Sequence, residues 1–233
     1  MQIETVDKET LDLIQRLMAD EKLSNFNLVG GTALALLIGH RKSVDIDLFC
    51  PTDFDSKELG QHLIDNYATD RVAVKQNGVF AIIEKVKVDI LTHKYPLLDP
   101  IEVRAGIRMV SLKEIGAMKL NAMYGNGTRL KDFIDIYVLL ERYPLKVLLD
   151  HAAAKYPDLN PFITKQSVIH HHDIDFANGV EFVGKEVSWT TIATRLKEAF
   201  LYPNKIFSGR KTLKNEPKDR NNEQKDAPNP TKR

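Results

Sequence analysis

Residues 28–50, LVGGTALALLIGHRKSVDIDLFC, decide the fold. A short apolar strand runs into Gly30-Gly31-Thr32. A helix of small and apolar residues follows, then a polar turn, His40-Arg41-Lys42-Ser43. Residues 43 to 49 then alternate strictly. That pattern predicts a strand with Val44, Ile46 and Leu48 on one face and Ser43, Asp45, Asp47 and Phe49 on the other. Two residues of strand span about 6.5–7 Å. Asp45 and Asp47 therefore leave a stiff element in the same direction, close enough to share a metal ion. Aspartate is disfavoured in strands, so a pair on one face calls for a reason.

An ordinary solvent-facing edge is one reason, and the glycines argue for another. Glycines between a strand and a helix N-terminus let backbone N–H groups approach phosphate oxygens. A phosphate cradle beside paired carboxylates is what metal-assisted phosphoryl or nucleotidyl transfer needs. One part holds a triphosphate, and the other holds the divalent cation that neutralises it.

Working outward, residues 7–22 read as an amphipathic helix with Leu11, Ile14, Leu17 and Met18 as its stripe. Residues 26–29 read as a strand, and 56–66 as a helix. Residues 71–75, 79–83 and 85–91 read as three strands, with a hairpin signal at Asn77-Gly78. In the last of them Val86, Val88 and Ile90 face one way, Lys87 and Asp89 the other. If it lies beside the Asp45–Asp47 strand, Asp89 joins the two carboxylates; otherwise it is a surface aspartate. Residues 103–109 suggest one more strand, with Arg108 either reaching a phosphate or solvated.

Ser111-Leu-Lys-Glu114 is a capping box for a helix over 111–124. Lys119 borders the apolar face of that helix, and by itself the pattern favours a lysine that snorkels to solvent. Residues 129–142, RLKDFIDIYVLLER, give a second helix carrying Asp132 and Asp135. There Lys131 and Asp135 are spaced for an ordinary i,i+4 ion pair. Further helices are expected at 144–155, 160–170 and 188–200, the last with Trp189. His170-His171-His172-Asp173 invites a metal reading, but adjacent histidines on a regular element cannot converge on one ion. The end of the chain, 208–233, carries eight Lys and Arg against four Asp and Glu and almost nothing apolar, a composition that predicts a disordered basic tail.

The chain has 233 residues, 43% hydrophobic and 28% charged, with a net charge of +1. That is enough for a proper core and shows no global basic field. One cysteine, Cys50, excludes an intrachain disulfide and a four-cysteine zinc site. No signal pattern or membrane-length apolar run stands out, so a cytoplasmic protein with no membrane partner is expected.

The run GGTALALLIGHRKSVDIDLF resembles the AbiEii/AbiGii toxin-type nucleotidyltransferases, a branch of the polymerase-beta-like superfamily. The run IGAMKLNAMYGNGTRLKDFIDIYVLL resembles that family's second block, in which a helical lysine precedes a basic-Asp-x-x-Asp helix. The likeness covers roughly residues 5–200. It implies an α+β fold: a small mixed-sheet core over 1–110, a mostly helical region over 111–207, and the tail. It implies Mg²⁺ or Mn²⁺ on Asp45 and Asp47, with Asp89 as a third carboxylate. It implies a triphosphate at Gly30, Gly31, Thr32 and Ser43, and makes Lys119 a nucleotide-binding, charge-stabilising lysine. Asp132 becomes a catalytic or orienting carboxylate, with Asp135 structural; His40 and Arg41 border the site. The partners implied are a nucleoside triphosphate, a tRNA or protein acceptor and a cognate antitoxin. A small-molecule acceptor, or a nucleotide-binding module without catalysis, are the competing readings.

Overall fold

The structure is a computed structural model that describes residues 1–208. Except for Ser208, the stretch expected to be a disordered tail lies outside them. The expected mixed sheet with a helical C-terminal half is what the chain forms. Seven strands build one sheet: β1 (Asn27–Leu28), β2 (Ile46–Cys50), β3 (Thr69–Lys75), β4 (Gly78–Ile83), β5 (Val86–Thr92), β6 (Glu102–Arg104) and β7 (Ile107–Met109). Their order is β3-β4-β5-β2-β1-β7-β6. β2 runs parallel to β5 and β1 parallel to β7, while β1 and β2 are antiparallel.

Eight α-helices occur among the described residues: α1 (Lys8–Ala19), α2 (Gly30–Ile38), α3 (Ser56–Asn66), α4 (Leu112–Gly125), α5 (Leu130–Leu139), α6 (Leu145–Lys155), α7 (Pro161–Ser167) and α8 (Trp189–Leu201). α4 is the hub, in contact with α2, α5, α6 and α7, and α8 closes over α5. Leu28, Ile46, Leu48, Val88, Ile90, Leu120 and Phe133 are fully buried in one continuous apolar core. Burial of that area is the main stabilising term.

Four local readings are corrected. The alternation from Ser43 overstates β2, which begins only at Ile46, so Val44 lies in the preceding turn, half exposed to solvent rather than packed. Residues 103–109 are not one strand but the greater part of a hairpin, β6 and β7, that turns at Ala105-Gly106. Both turn residues have positive φ, 49° and 79°, as a tight hairpin turn requires. Arg108 is neither solvated nor free for phosphate. Its guanidinium donates to the carbonyls of Phe26, Met18 and Leu23 at 2.9–3.1 Å, satisfying backbone acceptors in the last turn of α1 and in the segment before β1. Ser111 caps α4 as expected, accepting from the Glu114 N–H at 3.2 Å. The Glu114 carboxylate does not return to Ser111. It takes the Leu98 N–H at 2.5 Å and pairs with Lys155 at 2.7 Å, holding the 93–100 loop onto α4 and α6.

A late segment straps the turn after α2. Lys42 N–H donates to the Glu181 carbonyl at 2.8 Å, and Val183 N–H to the His40 carbonyl at 3.1 Å.

Candidate active site

The glycine turn meets the aspartates closely. Gly30 opens α2 with φ +69°, a conformation that suits glycine. A Cβ on Gly30 would lie 2.5 Å from Asp47 Oδ2, so the missing side chain is what lets the carboxylate stand against the helix N-terminus. Val29, at the N-cap, supplies no side-chain cap to the first turn. The N–H groups of Gly30, Gly31 and Thr32 thus begin a helix whose positive dipole end suits an anion. The Thr32 hydroxyl is spent internally: it bonds Ser43 Oγ at 2.9 Å and donates to the Asp45 carbonyl. Thr32 and Ser43 therefore fix Asp45 relative to α2, and what Thr32 can offer a phosphate is its backbone N–H.

Asp47 and Asp89 are register partners across the parallel β2–β5 pair. The strand of Asp89 lies beside the strand of Asp47, the condition set out from sequence. Burial, together with the neighbouring Asp89 carboxylate, pushes Asp47 up to about 6. Lys87 and Lys119 oppose this only in part. Asp89 Oδ2 is held by Lys87 Nζ at 2.5 Å, while Asp89 Oδ1 is buried with no hydrogen-bond partner among the described residues. Two crowded carboxylates with an unmet oxygen suit a divalent cation. Among the described residues no three His, Cys, Asp or Glu side chains are grouped as a complete metal cage. A hard cation such as Mg²⁺ does not need one, since it is commonly bound by one or two carboxylates plus water and substrate phosphates.

Behind the carboxylates lies a buried charge cluster that the local pattern did not disclose. Asp135, fully buried, accepts from Arg41 Nε at 2.8 Å and Nη2 at 2.9 Å. It also takes His40 Nε2 at 2.8 Å and pairs with Lys119 Nζ at 2.8 Å. The i,i+4 pairing of Asp135 with Lys131 is thus replaced by two cations, Arg41 and Lys119, and the His40 ring, all from other elements. Lys119 does not snorkel. It is 6% exposed, and its ammonium donates to Asp132 Oδ1 at 2.6 Å. Burial alone would push Lys119 down, but Asp135 and Asp132 beside it hold it above its ordinary range. Burial would likewise push Asp135 up, and Arg41 and Lys119 more than reverse that, so its carboxyl lies well below the usual range. Burial keeps the His40 imidazole down, favouring the neutral ring. With His40 neutral, two carboxylates face two cations. Asp132 Oδ2 remains buried and without a hydrogen-bond partner among the described residues.

The expected residues therefore fall into two groups. Gly30, Gly31, Asp45, Asp47 and Asp89 line the turn and the paired strands. Lys119 and Asp132 sit with Asp135 and Arg41 between α4, α5 and the 40–42 turn, and Lys119 is close enough to act on Asp47. Arg41 and Asp135 are the residues sequence reasoning undervalued. Their partners lie 94 positions apart, so no local spacing signals them. His170 Nε2 hydrogen-bonds Asp173 Oδ2 at 2.9 Å on the exposed surface, a local contact within the His170–Asp173 run.

A mixed sheet with a glycine turn feeding a helix beside strand-borne carboxylates is the architecture of a nucleotidyltransferase. The chain belongs to the nucleotidyl transferase AbiEii toxin family of type IV toxin–antitoxin systems, whose profile matches residues 12–159. It is 28% identical over 173 residues to an uncharacterized protein of Aquifex aeolicus (strain VF5), covering 71% of this chain and 83% of that one. Its fold is similar to the crystal structure of a candidate nucleotidyltransferase from H. pylori, with TM-score 0.52 and 17% identity over 85% of this chain and 96% of that one. Helicobacter pylori JHP933 gives a TM-score of 0.49 at 17% identity, over 85% and 93% of the two chains. No described helix is long and apolar enough to cross a membrane.

Proposed function

We propose that this nucleotidyltransferase moves a nucleoside monophosphate from a nucleoside triphosphate to an acceptor hydroxyl, using Mg²⁺ or Mn²⁺, and that its acceptor is RNA. The observation that carries the reading is the stacking of Asp47 on Asp89 against the Gly30 turn, crowded carboxylates facing an uncapped helix N-terminus. Asp45 and Asp47 would hold the cation, with Asp89 close by. When bound, the cation neutralises phosphate charge and polarises the α-phosphate.

The chain's own groups do the rest. The N–H groups of Gly30, Gly31 and Thr32 receive the β- and γ-phosphates. Lys119 trades one of its two carboxylate contacts for a phosphate oxygen and offsets the charge that develops there. Asp132, with one oxygen free of hydrogen bonds and only Arg129 near it at 3.8 Å, orients the acceptor hydroxyl or accepts its proton; Asp89 is the competing base. Attack on the α-phosphorus forms the new P–O bond, and pyrophosphate leaves with the electron pair of the broken bond. In keeping with its family the protein acts as the toxin of a toxin–antitoxin pair, with a cognate antitoxin as partner.

The test is incubation of purified protein with each α-labelled triphosphate, Mg²⁺ and total bacterial RNA. Label in a tRNA-sized band supports the reading. Label found instead on protein or a small molecule replaces the acceptor class, and no transfer to any acceptor removes the catalytic reading.

A further inference from the structure

Beyond Asp47, the same strand face leads to a cluster of rings. Phe49 follows Asp47 by two residues, and its register partner on β5 is Leu91. His93, which donates its N–H to the Cys50 carbonyl at 2.7 Å, continues that edge. Four rings meet there. The centroids of Phe49 and His93 are 5.3 Å apart, those of His93 and Tyr95 4.9 Å, and those of Tyr95 and Tyr156 4.6 Å. His93 Nε2 hydrogen-bonds the Tyr156 hydroxyl at 3.0 Å. Burial, with Lys155 nearby, holds the His93 imidazole down at about 4, so the ring is neutral at pH 7.

Phe49, His93 and Tyr95 border a hollow lined also by Asn27 and Met118. It encloses only about 20 Å³, so a planar ligand lies across its mouth rather than inside it. Tyr95 and Leu97 at that mouth expose 36% and 40% of their surface. Asn27, opposite Phe49 on β1, is 8% exposed and lines the hollow beside that ring. A side-chain amide there offers a donor and an acceptor edge beside a stacking surface, the combination that reads a nucleobase.

The direction of the reaction says which base. On the reading above, pyrophosphate leaves toward Gly30 and Gly31. In-line displacement puts the attacking hydroxyl on the opposite side of the α-phosphorus. Along this face the opposite side is the Phe49–His93 end. We infer that Phe49, His93 and Tyr95, with the Asn27 amide, form a subsite that stacks a nucleobase of the acceptor RNA next to its reacting hydroxyl. The inference rests on the transfer reading for its direction, and its test does not need turnover.

Binding of fluorescein-labelled total tRNA by anisotropy, and of Mg-ATP, Mg-GTP, Mg-CTP and Mg-UTP by calorimetry, would be compared for the wild type, Tyr95→Ala and Tyr95→Phe. Removing one stacking ring is expected to weaken tRNA binding about five- to hundred-fold. Tyr95→Phe should restore it, and triphosphate affinity should stay unchanged in both variants. Asn27→Ala should also weaken tRNA binding, with a normal thermal transition showing that the fold persists. Unchanged tRNA affinity in Tyr95→Ala, or no tRNA binding by the wild type, would overturn the inference. So would a loss of triphosphate affinity in its place, which would assign the rings to the incoming nucleotide. Intact, Tyr95-dependent tRNA binding without any label transfer would leave the subsite standing and strike the transfer reading alone.

Discussion

Asp135 grips Arg41 through two parallel hydrogen bonds of 2.8 and 2.9 Å, both residues out of contact with solvent. This bidentate pair ties α5 to the turn between α2 and β2, and Lys119 extends it to α4. Three elements that carry candidate site residues are thus fixed through one carboxylate. Asp135→Asn keeps the shape but strands Arg41 and Lys119 on Asp132 alone. Breaking a buried pair from one side costs about 3–5 kcal/mol. Urea unfolding should show that loss as a lower midpoint with an unchanged slope.

Gly30→Ala probes the close approach of turn and carboxylate. The new methyl would meet Asp47 Oδ2 and sit on a backbone with φ +69°. A left-handed residue with a side chain costs roughly 1–2 kcal/mol, and Asp47 must also move. Transfer should fall by roughly 100-fold, since small displacements at a reacting centre are expensive. Thermal denaturation and label transfer on the same preparation check both effects.

Asp47 makes stability depend on pH in an unusual direction. Its folded carboxyl holds the proton to about 6, against an ordinary value of 3.8. The folded state therefore binds more protons than the unfolded chain between those values. Stability of the chelator-treated protein falls as pH rises from about 4 to about 6, and stays lower above that. Asp47→Asn removes the effect, so it should raise the melting temperature at pH 8, by roughly 1–3 kcal/mol in stability. The difference should vanish near pH 4. Added Mg²⁺ should stabilise the wild type more at pH 8 than at pH 5, because binding needs the ionised carboxylate.

Arg108→Ala separates scaffold from site. It leaves the carbonyls of Phe26, Met18 and Leu23 without their charged donor. A loss of about 2–4 kcal/mol is expected, because hydrogen bonds to charged groups contribute more than neutral ones. Triphosphate affinity measured by calorimetry should not change.

The parts that the sequence made legible are the ones in which chemistry is local. The hairpin signalled by Asn77-Gly78, which closes on the Lys75–Gly78 pair with Gln76 and Asn77 in the turn, the Ser56–Asn66 helix and the period-2 face of Val88 and Ile90 follow from dihedral and packing preferences over a few residues. Resemblance, not spacing, was needed to single out Lys119 and Asp132. Lys119 read locally as a snorkelling lysine because its compensating carboxylates lie on another helix. Asp135 and Arg41 were harder still, since burial of a charge is decided by its partner and that partner is 94 residues away. The β6–β7 hairpin was missed because Ala105, a residue that seldom adopts positive φ, takes the first turn position. Strict alternation likewise misplaced Val44, since the pattern runs through a turn before the ladder begins.

The most direct measurement is label transfer from an α-labelled triphosphate by the wild type and by Asp45→Ala, at saturating Mg²⁺. Asp45 is partly accessible and lies just outside the strand, so the variant should fold with a circular dichroism spectrum and melting temperature close to the wild type. Transfer is expected from the wild type, with a loss of at least roughly 100-fold in the variant, because the carboxylate that would hold the charge-stabilising cation is gone. Transfer at the wild-type rate in folded Asp45→Ala protein would contradict this expectation.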